Sequence, residues 1–377
     1  MLKRILRWLL VLLGLLALVL VIAVVVINNY LASTQEKLLH EAMASAGLKV
    51  AFRELDLRIW RTFPEASISL DSLVLRDSTR SLQQPPLLQV EKFSVDVSVA
   101  SILSKTLDIR KVELNDAALY LKSDSTGIFN AGQLFTLGST NKKAPVINLN
   151  WDGLIVDLTE VDLQYHHAIS NKQMEALVHR LKAEVYRPEA DSVRLKGELD
   201  LYSRGIAFNT EVGAYLQETP LSGQLEVSLD PTAWTLSPTR LSVGEQEFTA
   251  SASISRQAGD TSYLHLANEN LDYERSRLLL HDVLQERLTK YHVSTPFPVT
   301  ARIATTLEQN DDPEIATTFT LNGQSVRLLQ NNFKDVHLNG TFINRLSPAK
   351  GGIPGSRKNL FFSLDSVSGY REDVFIT

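Results

Sequence analysis

The sequence predicts a mainly β fold: an N-terminal transmembrane helix followed by a long, curled antiparallel β-sheet, with one or two short helices. Three observations carry that expectation. An unbroken apolar run spans Trp8 to Ile27, apolar and polar residues alternate with period two after Val50, and strands and helices never alternate in succession. About 20 apolar residues in a helix cross the hydrocarbon core of a bilayer. Strict alternation marks a sheet with one apolar and one wet face. The missing βαβ rhythm disfavours a parallel α/β sheet.

Residues 1–30 read as a leader and a membrane helix. The anchor runs through Trp8, Leu12, Leu16, Leu20, Val24 and Ile27, and no charged residue lies between Arg7 and Glu36. Lys3, Arg4 and Arg7 precede it, and the next basic residue is Lys37. That asymmetry predicts a single pass with a cytoplasmic N-terminus and the body on the far side. A cleaved signal peptide is the rival reading, but its apolar stretch is only ~7–15 residues long. Leu31-Ala32-Ser33 is a weak cleavage-like site. Trp8 and Tyr30 flank the run as interfacial aromatic anchors, although Trp8 also reads as one more apolar residue.

Residues 31–47 read as a short juxtamembrane helix. Ser33 and Glu36 have capping-box spacing, Leu38, Leu39, Ala42, Met43 and Ala46 form one stripe, and Gly47 ends it. Residues 48–346 read as the β-rich body. Phe93, Val95, Val97 and Val99 alternate with polar residues, as do Ile147, Leu149 and Trp151. Val193 to Leu201, Phe248 to Ile254, Phe319 to Leu321 and Val336 to Leu338 repeat the habit. At ~5–6 residues per strand plus turns, the body holds about 16 strands.

Some strands slip phase. Ile68 and Leu70 give way to Leu73 and Leu75, and Leu107 and Ile109 to Val112 and Leu114. A slip of one residue turns the side chains over unless a bulge or bend absorbs it. Two short strands joined by a turn would produce the same pattern. Gln173 to Tyr186 fits a helix or a strand, and the preceding Ser170-Asn171-Lys172 turn selects the strand. Asp272 to Tyr291 reads as a helix, stopped before Pro296 and Pro298. Asn339-Gly340-Thr341 matches a glycosylation sequon but is read as a hairpin turn. Loops are expected at 78–86, 138–145, 309–313 and 347–356. Residues 347–377 form a linker and the start of a further β segment, as in part of a longer protein.

Composition excludes several functions. The net charge is −5, no basic tract follows the anchor, and there is no cysteine. Nucleic-acid binding therefore has no support. Disulfides, thiolate metal sites and cysteine nucleophiles are ruled out. His40-Glu41 lacks the second histidine of a zinc-protease helix. His166 and His167 are adjacent, so on a strand they face opposite ways. Asp311-Asp312-Pro313 reads as a turn. No Gly-x-Ser-x-Gly elbow or phosphate-binding glycine loop is present. We expect no enzyme, and no catalytic, cofactor-binding or metal-binding residue. Trp60 and Phe63 could meet lipid headgroups or plug the end of a core.

Three stretches carry a family resemblance. The first is Gly47-Leu48-Lys49-Val50-Ala51-Phe52 behind the anchor. The second is Phe63-Pro64-Glu65-Ala66-Ser67-Ile68-Ser69-Leu70-Asp71-Ser72-Leu73. The third runs from Leu107-Asp108-Ile109-Arg110-Lys111-Val112-Glu113-Leu114 to Gly127-Ile128-Phe129-Asn130 and Leu134. This order resembles the N-terminal region of AsmA-family proteins of diderm bacteria, and the short second motif is similar to Bacteroidetes-type members. The resemblance covers residues 1–135 and, in pattern, extends to about 340.

The resemblance implies a bacterial inner-membrane anchor and a periplasmic body related to TamB and bridge-like lipid-transfer proteins. It implies an apolar groove for phospholipid or another envelope lipid. It also implies a non-catalytic, cofactor-free role in outer-membrane lipid homeostasis or assembly, with outer-membrane assembly components as further partners. Typical members are much longer. The groove lining would include Ile68, Leu70, Phe93, Val95, Val97, Val99, Ile147, Leu149, Phe248 and Ile254. By pattern alone, a closed sandwich fits the alternation equally well. A membrane-tethered scaffold for outer-membrane protein assembly and an envelope hydrolase are the competing functions.

Overall fold

The structure is a computed structural model. It describes residues 48–58, 64–77, 85–103, 106–123, 130, 148–169, 171–189, 192–211, 213–255, 257, 260–306, 314–343 and 360–376. The membrane anchor, the juxtamembrane helix, Trp60, Phe63 and most of the expected loops lie outside these residues. Among the described residues no helix is long and apolar enough to cross a membrane. The chain divides into two compact units that part after Glu211. The fold is mainly β, with twenty strands and three short helices among the described residues.

The first unit contains β1 (Leu48–Ala51), β2 (Glu54–Arg58), β3 (Glu65–Asp77), β4 (Leu88–Ser98), α1 (Val99–Leu103), β5 (Thr106–Lys122), β6 (Asn148–Asn150), β7 (Leu154–His167), β8 (Lys172–Glu189) and β9 (Ser192–Asn209). β1 and β2 lie end to end along β3, and β3 continues antiparallel to β4 and β5. β7, β8 and β9 form a second antiparallel run. The two runs meet where β5 and β7 pair in parallel, from Lys111↔Ile155 to Lys122↔His166. β6 also pairs in parallel with β5. These are departures from the antiparallel expectation. A parallel pair needs a long crossover rather than a tight turn, and residues 123–153 separate β5 from β7 in sequence.

Both phase slips fall inside continuous strands, not at turns between short ones. In β3 the slip is at Ser72, with φ +55°. β4, β5, β7 and β8 place Glu91, Asp116, Glu160 and His179 at the same level, and Asp116 and Glu160 also have positive φ. Each strand carries the same extra outward residue, so neighbours stay in register. β9 alternates without it over 193–201, and the surplus appears there as a register shift between Val178 and Arg180. The second slip, at Arg110, is absorbed by a register shift between Asp96 and Val97. Bulges of this kind bend a strand and increase its twist. The apolar side chains stay on one face across the line, and Val50 to Val185 form one buried cluster.

The second unit contains β10 (Gly213–Tyr215), β11 (Thr219–Leu229), β12 (Ala233–Val243), β13 (Gln246–Ser255), β14 (Thr261–Leu271), α2 (Tyr273–Leu278), α3 (Asp282–Leu288), β15 (Tyr291–Val293), β16 (Phe297–Thr306), β17 (Glu314–Leu328), β18 (Asn331–Ile343), β19 (Phe361–Arg371) and β20 (Val374–Ile376). From β11 to β14, and on through β16 to β20, each strand pairs antiparallel with the next. The helix expected over 272–291 is two short helices. Asp272 caps the first by accepting from Arg275 N at 3.0 Å, and Leu279 to His281 interrupt the pattern.

Asn339-Gly340-Thr341 is not a turn but the interior of β18. Gly340 pairs with Phe319 of β17. A Cβ at residue 340 would lie 2.5 and 2.6 Å from Cε1 and Cε2 of that ring. Glycine is present because an aromatic ring covers the backbone, not because the chain reverses. We expect Gly340→Ala to cost about 1–3 kcal/mol through overpacking, lowering the thermal midpoint of the full chain by several degrees. Adding Phe319→Leu should recover part of that loss. An unchanged melting curve for Gly340→Ala would show that the ring does not occupy this space.

Candidate functional site

Directly paired residues on antiparallel strands share a face, so the register of the second unit defines its two surfaces. Leu229 pairs with Trp234, Leu236 with Ala252 and Leu241 with Phe248. Ala252 pairs with Leu264, which pairs with Ile303, and Ile303 pairs with Ile315. Val299 meets Phe319, Leu321 meets Leu338, and Phe342 meets Phe362. The result is a mainly apolar face from β11 to β19, with Ser262, Asn268 and Thr317 among its polar members. The opposite face carries Thr249, Ser251, Ser253, Thr300 and Thr318, with Arg302 stacked on the Tyr263 ring at 4.2 Å.

The apolar face of this unit is only partly removed from water. Phe248, Ile254, Leu264, Leu266, Val299, Ile303, Phe319, Leu338 and Phe342 are all half-buried. An aromatic row crosses it, with Phe297, Phe319 and Phe362 spaced 6.4 and 6.5 Å centre to centre. Gly340 leaves room for the middle ring. A surface of this kind can hold flexible hydrocarbon by area alone, at about 25 cal/mol per Å² of apolar surface. It offers no convergent acid, base or nucleophile.

The α2–α3 elbow sits at one end of this unit's sheet. Gln246, buried at the start of β13, accepts from Asp272 N at 2.8 Å and donates to Ser276 Oγ at 2.6 Å. Tyr273 donates its hydroxyl to Leu288 O at 2.9 Å, and burial pushes its pKa up to about 12. Glu274 bridges to Arg277 at 3.1 Å and His292 at 2.8 Å. His281 fills the angle of the elbow, buried and edge-on to Tyr215 at 5.0 Å. Its Nδ1 has no hydrogen-bond partner, nor has Nδ2 of the buried Asn268. Burial lowers the His281 pKa, Asp282 opposes the shift and Arg287 adds to it.

The sequence-expected lining residues separate into two groups. Ile68, Leu70, Phe93, Val95 and Val97 belong to the first unit's cluster and are at most 2% exposed. Val99 does not continue the β4 strand. It begins α1, partly buried against the same cluster. Phe248 and Ile254 lie on the half-buried face of the second unit. Leu149 lies in β6, and Ile147 lies outside the described residues. His167 is buried and His166 exposed, as their opposite facing requires. No group of side chains among the described residues could hold a metal ion. The elbow with His281 was missed because a single 3.6-residue period spans both helices. The leucine triplet 278–280 ahead of His281 was the available signal.

A family model described as the AsmA family matches residues 1–340. No curated protein matches the chain.

The buried His281 gives the elbow a pH dependence. Its folded pKa lies below the ordinary 6.5, so folding favours the neutral ring. The stability it contributes is complete above pH 6.5 and declines as pH falls below that value. Amide exchange over 273–291, corrected for intrinsic rates, should therefore accelerate between pH 7 and pH 5. His281→Phe keeps the edge-on contact but cannot titrate, and should remove the acid response. An identical response in that variant would rule His281 out as the cause.

Proposed function

The chain belongs to the AsmA family, and on that footing we propose a membrane-anchored periplasmic protein that binds and transfers lipid. The role contributes to outer-membrane lipid homeostasis or assembly and uses no catalytic residue or cofactor. In this reading Trp8 to Ile27 is the single inner-membrane pass, with Lys3, Arg4 and Arg7 holding the N-terminus in the cytoplasm. The body is periplasmic.

The half-buried apolar face of the second unit carries the proposal. Acyl chains gain about 0.8 kcal/mol for each CH₂ buried, and Phe248, Ile254, Leu264 and Ile303 present hydrocarbon without competing polar groups. We assign the lipid-contacting role to that face, with Phe248 and Ile254 among its lining residues. Ile68, Leu70, Phe93, Val95 and Val97 are the closed core of the first unit. One observation favours a second reading. The β19–β20 hairpin exposes Phe362, Val374 and Phe375, as a scaffold would if it captured a protein segment by strand addition.

A photo-crosslinking amino acid placed along β13 of the full chain in native membranes tests the assignment. Positions 248 and 254 should yield lipid adducts, and the opposite-face positions 249 and 253 should not. Replacing Leu264 and Ile303 together by Asp should reduce co-purified lipid several-fold. Equal adducts from both faces, or protein adducts alone at 248 and 254, would reject the lipid assignment.

A further inference from the structure

The apolar lining extends past the body of the sheet. On β17 it passes from the buried Val326 to Leu328, which is 44% exposed and pairs with Tyr291 of β15. Val326 in turn pairs with Val293, so these four residues continue the same face. A two-residue turn, Leu329-Gln330, then joins Leu328 to Asn331. Leu329 N–H donates to Lys290 O at 2.9 Å, which ties the turn to the start of β15.

Leu329 goes against two folding preferences at once. Its φ is +57°, and its side chain is 58% exposed. A two-residue turn that begins with positive φ takes glycine or asparagine by preference, because a Cβ is crowded in that conformation. An exposed leucine also gains nothing from burial. Residues that break local rules without a folding benefit mark function. The charges nearby point to what the tip meets. Among the described residues, Arg327 and Lys290 take part in no ion pair, whereas Arg275 and Arg277 are paired with Glu245 and Glu274. A tip of exposed leucine and tyrosine flanked by free cations matches the layers of a bilayer surface. Aromatic rings settle at headgroup level and cations sit on anionic phosphates.

We propose that this tip is a membrane-contact element. Leu328, Leu329 and Tyr291 enter the interface of an anionic bilayer, and Arg327 and Lys290 hold its phosphates. Lipid then passes between bilayer and lining without exposing its acyl chains to water. The proposal rests on the lipid-binding reading and assigns that reading an entry or exit point.

The chain has no cysteine, so Leu329→Cys supplies a single thiol for an environment-sensitive fluorophore. The full chain, held in nanodiscs, is mixed with phosphatidylethanolamine–phosphatidylglycerol vesicles containing nitroxide lipid. The label at 329 should shift to the blue and be quenched, while a Ser253→Cys label should not. Leu329→Asn suits the left-handed turn and should leave the melting temperature unchanged or raised. It should also reduce vesicle association about tenfold, the order expected for one withdrawn leucine. No quenching at 329, unchanged association of the Asn variant, or shielding of the thiol by a protein instead of vesicles would overturn the proposal. Lipid crosslinks at 254 that persist without quenching at 329 would reject the tip alone. Lost crosslinks with quenching intact would reject the lipid-binding reading alone.

Discussion

An apolar sheet face cannot stay in open water, and the two units meet that constraint to different degrees. In the first unit, strands β3 to β8 put their apolar residues into one cluster whose central members are almost fully closed. At about 25 cal/mol per Å² of apolar surface, burial in that cluster stabilises the first unit. In the second unit the same period-two pattern leaves Phe248, Ile254, Leu264 and Ile303 half-buried. The patterning rule is shared, so the difference lies in how far burial is completed. An incompletely buried apolar face is costly for a folded protein and useful for one that handles hydrocarbon.

The line from Ser72 to His179 shows how sequence sets sheet geometry. A lone phase slip would send half a strand's apolar residues into water. Here the slip recurs at the same level in β3, β4, β5, β7 and β8, so every pair stays in register and the apolar side stays whole. Positive φ at Ser72, Asp116 and Glu160 costs about 1–2 kcal/mol per residue for non-glycine side chains. Polar partners on the outer face accompany the line, with Ser72 Oγ 3.3 Å from Glu91 and His179 3.0 Å from Glu160. Such exposed contacts add little each. The conformation is held mainly by the burial it permits.

Period-two alternation made the strands legible, including β8, where Met174, Leu177, Val178 and Leu181 also fit a helix. The slips at Ser72 and Arg110 were legible too, because burial punishes a parity error. The parallel pairing of β5 with β7 was not. Alternation records which face is buried, not which neighbour a strand chooses. Gly340 was misread because Asn-Gly is a turn signal by local preference, whereas here a residue on the next strand, Phe319, requires the missing side chain. The strand through Phe93, Val95 and Val97 ends at Ser98 although its pattern continues into Val99. For the candidate site, Phe248 and Ile254 could be placed on the apolar face from pattern. That Ile68 and Phe93 are closed while Phe248 is half-open could not, since burial depends on tertiary cover. Leu329 gave no sign, because its strain appears only in the backbone angle.

The polar residues within the apolar face bear on how lipid would move along it. Gln246 is the first residue of β13, Ser262 the second of β14, and Asn268 lies near the far end of β14. All three are buried and stand towards strand ends; Thr317, opposite Ala301, is a further polar residue of a face whose middle is otherwise Ala250, Ala252, Leu264, Leu266, Ala301 and Ile303. An acyl chain stepping from one strand to the next moves ~4.8 Å and exchanges one set of aliphatic contacts for a similar set. The gain of about 0.8 kcal/mol per CH₂ is then nearly the same at each step, and little net barrier arises. A deep pocket with a convergent polar group would instead trap its ligand at one place. In the proposed reading, the even aliphatic lining expresses one requirement: binding strong enough to shelter hydrocarbon and uniform enough to release it.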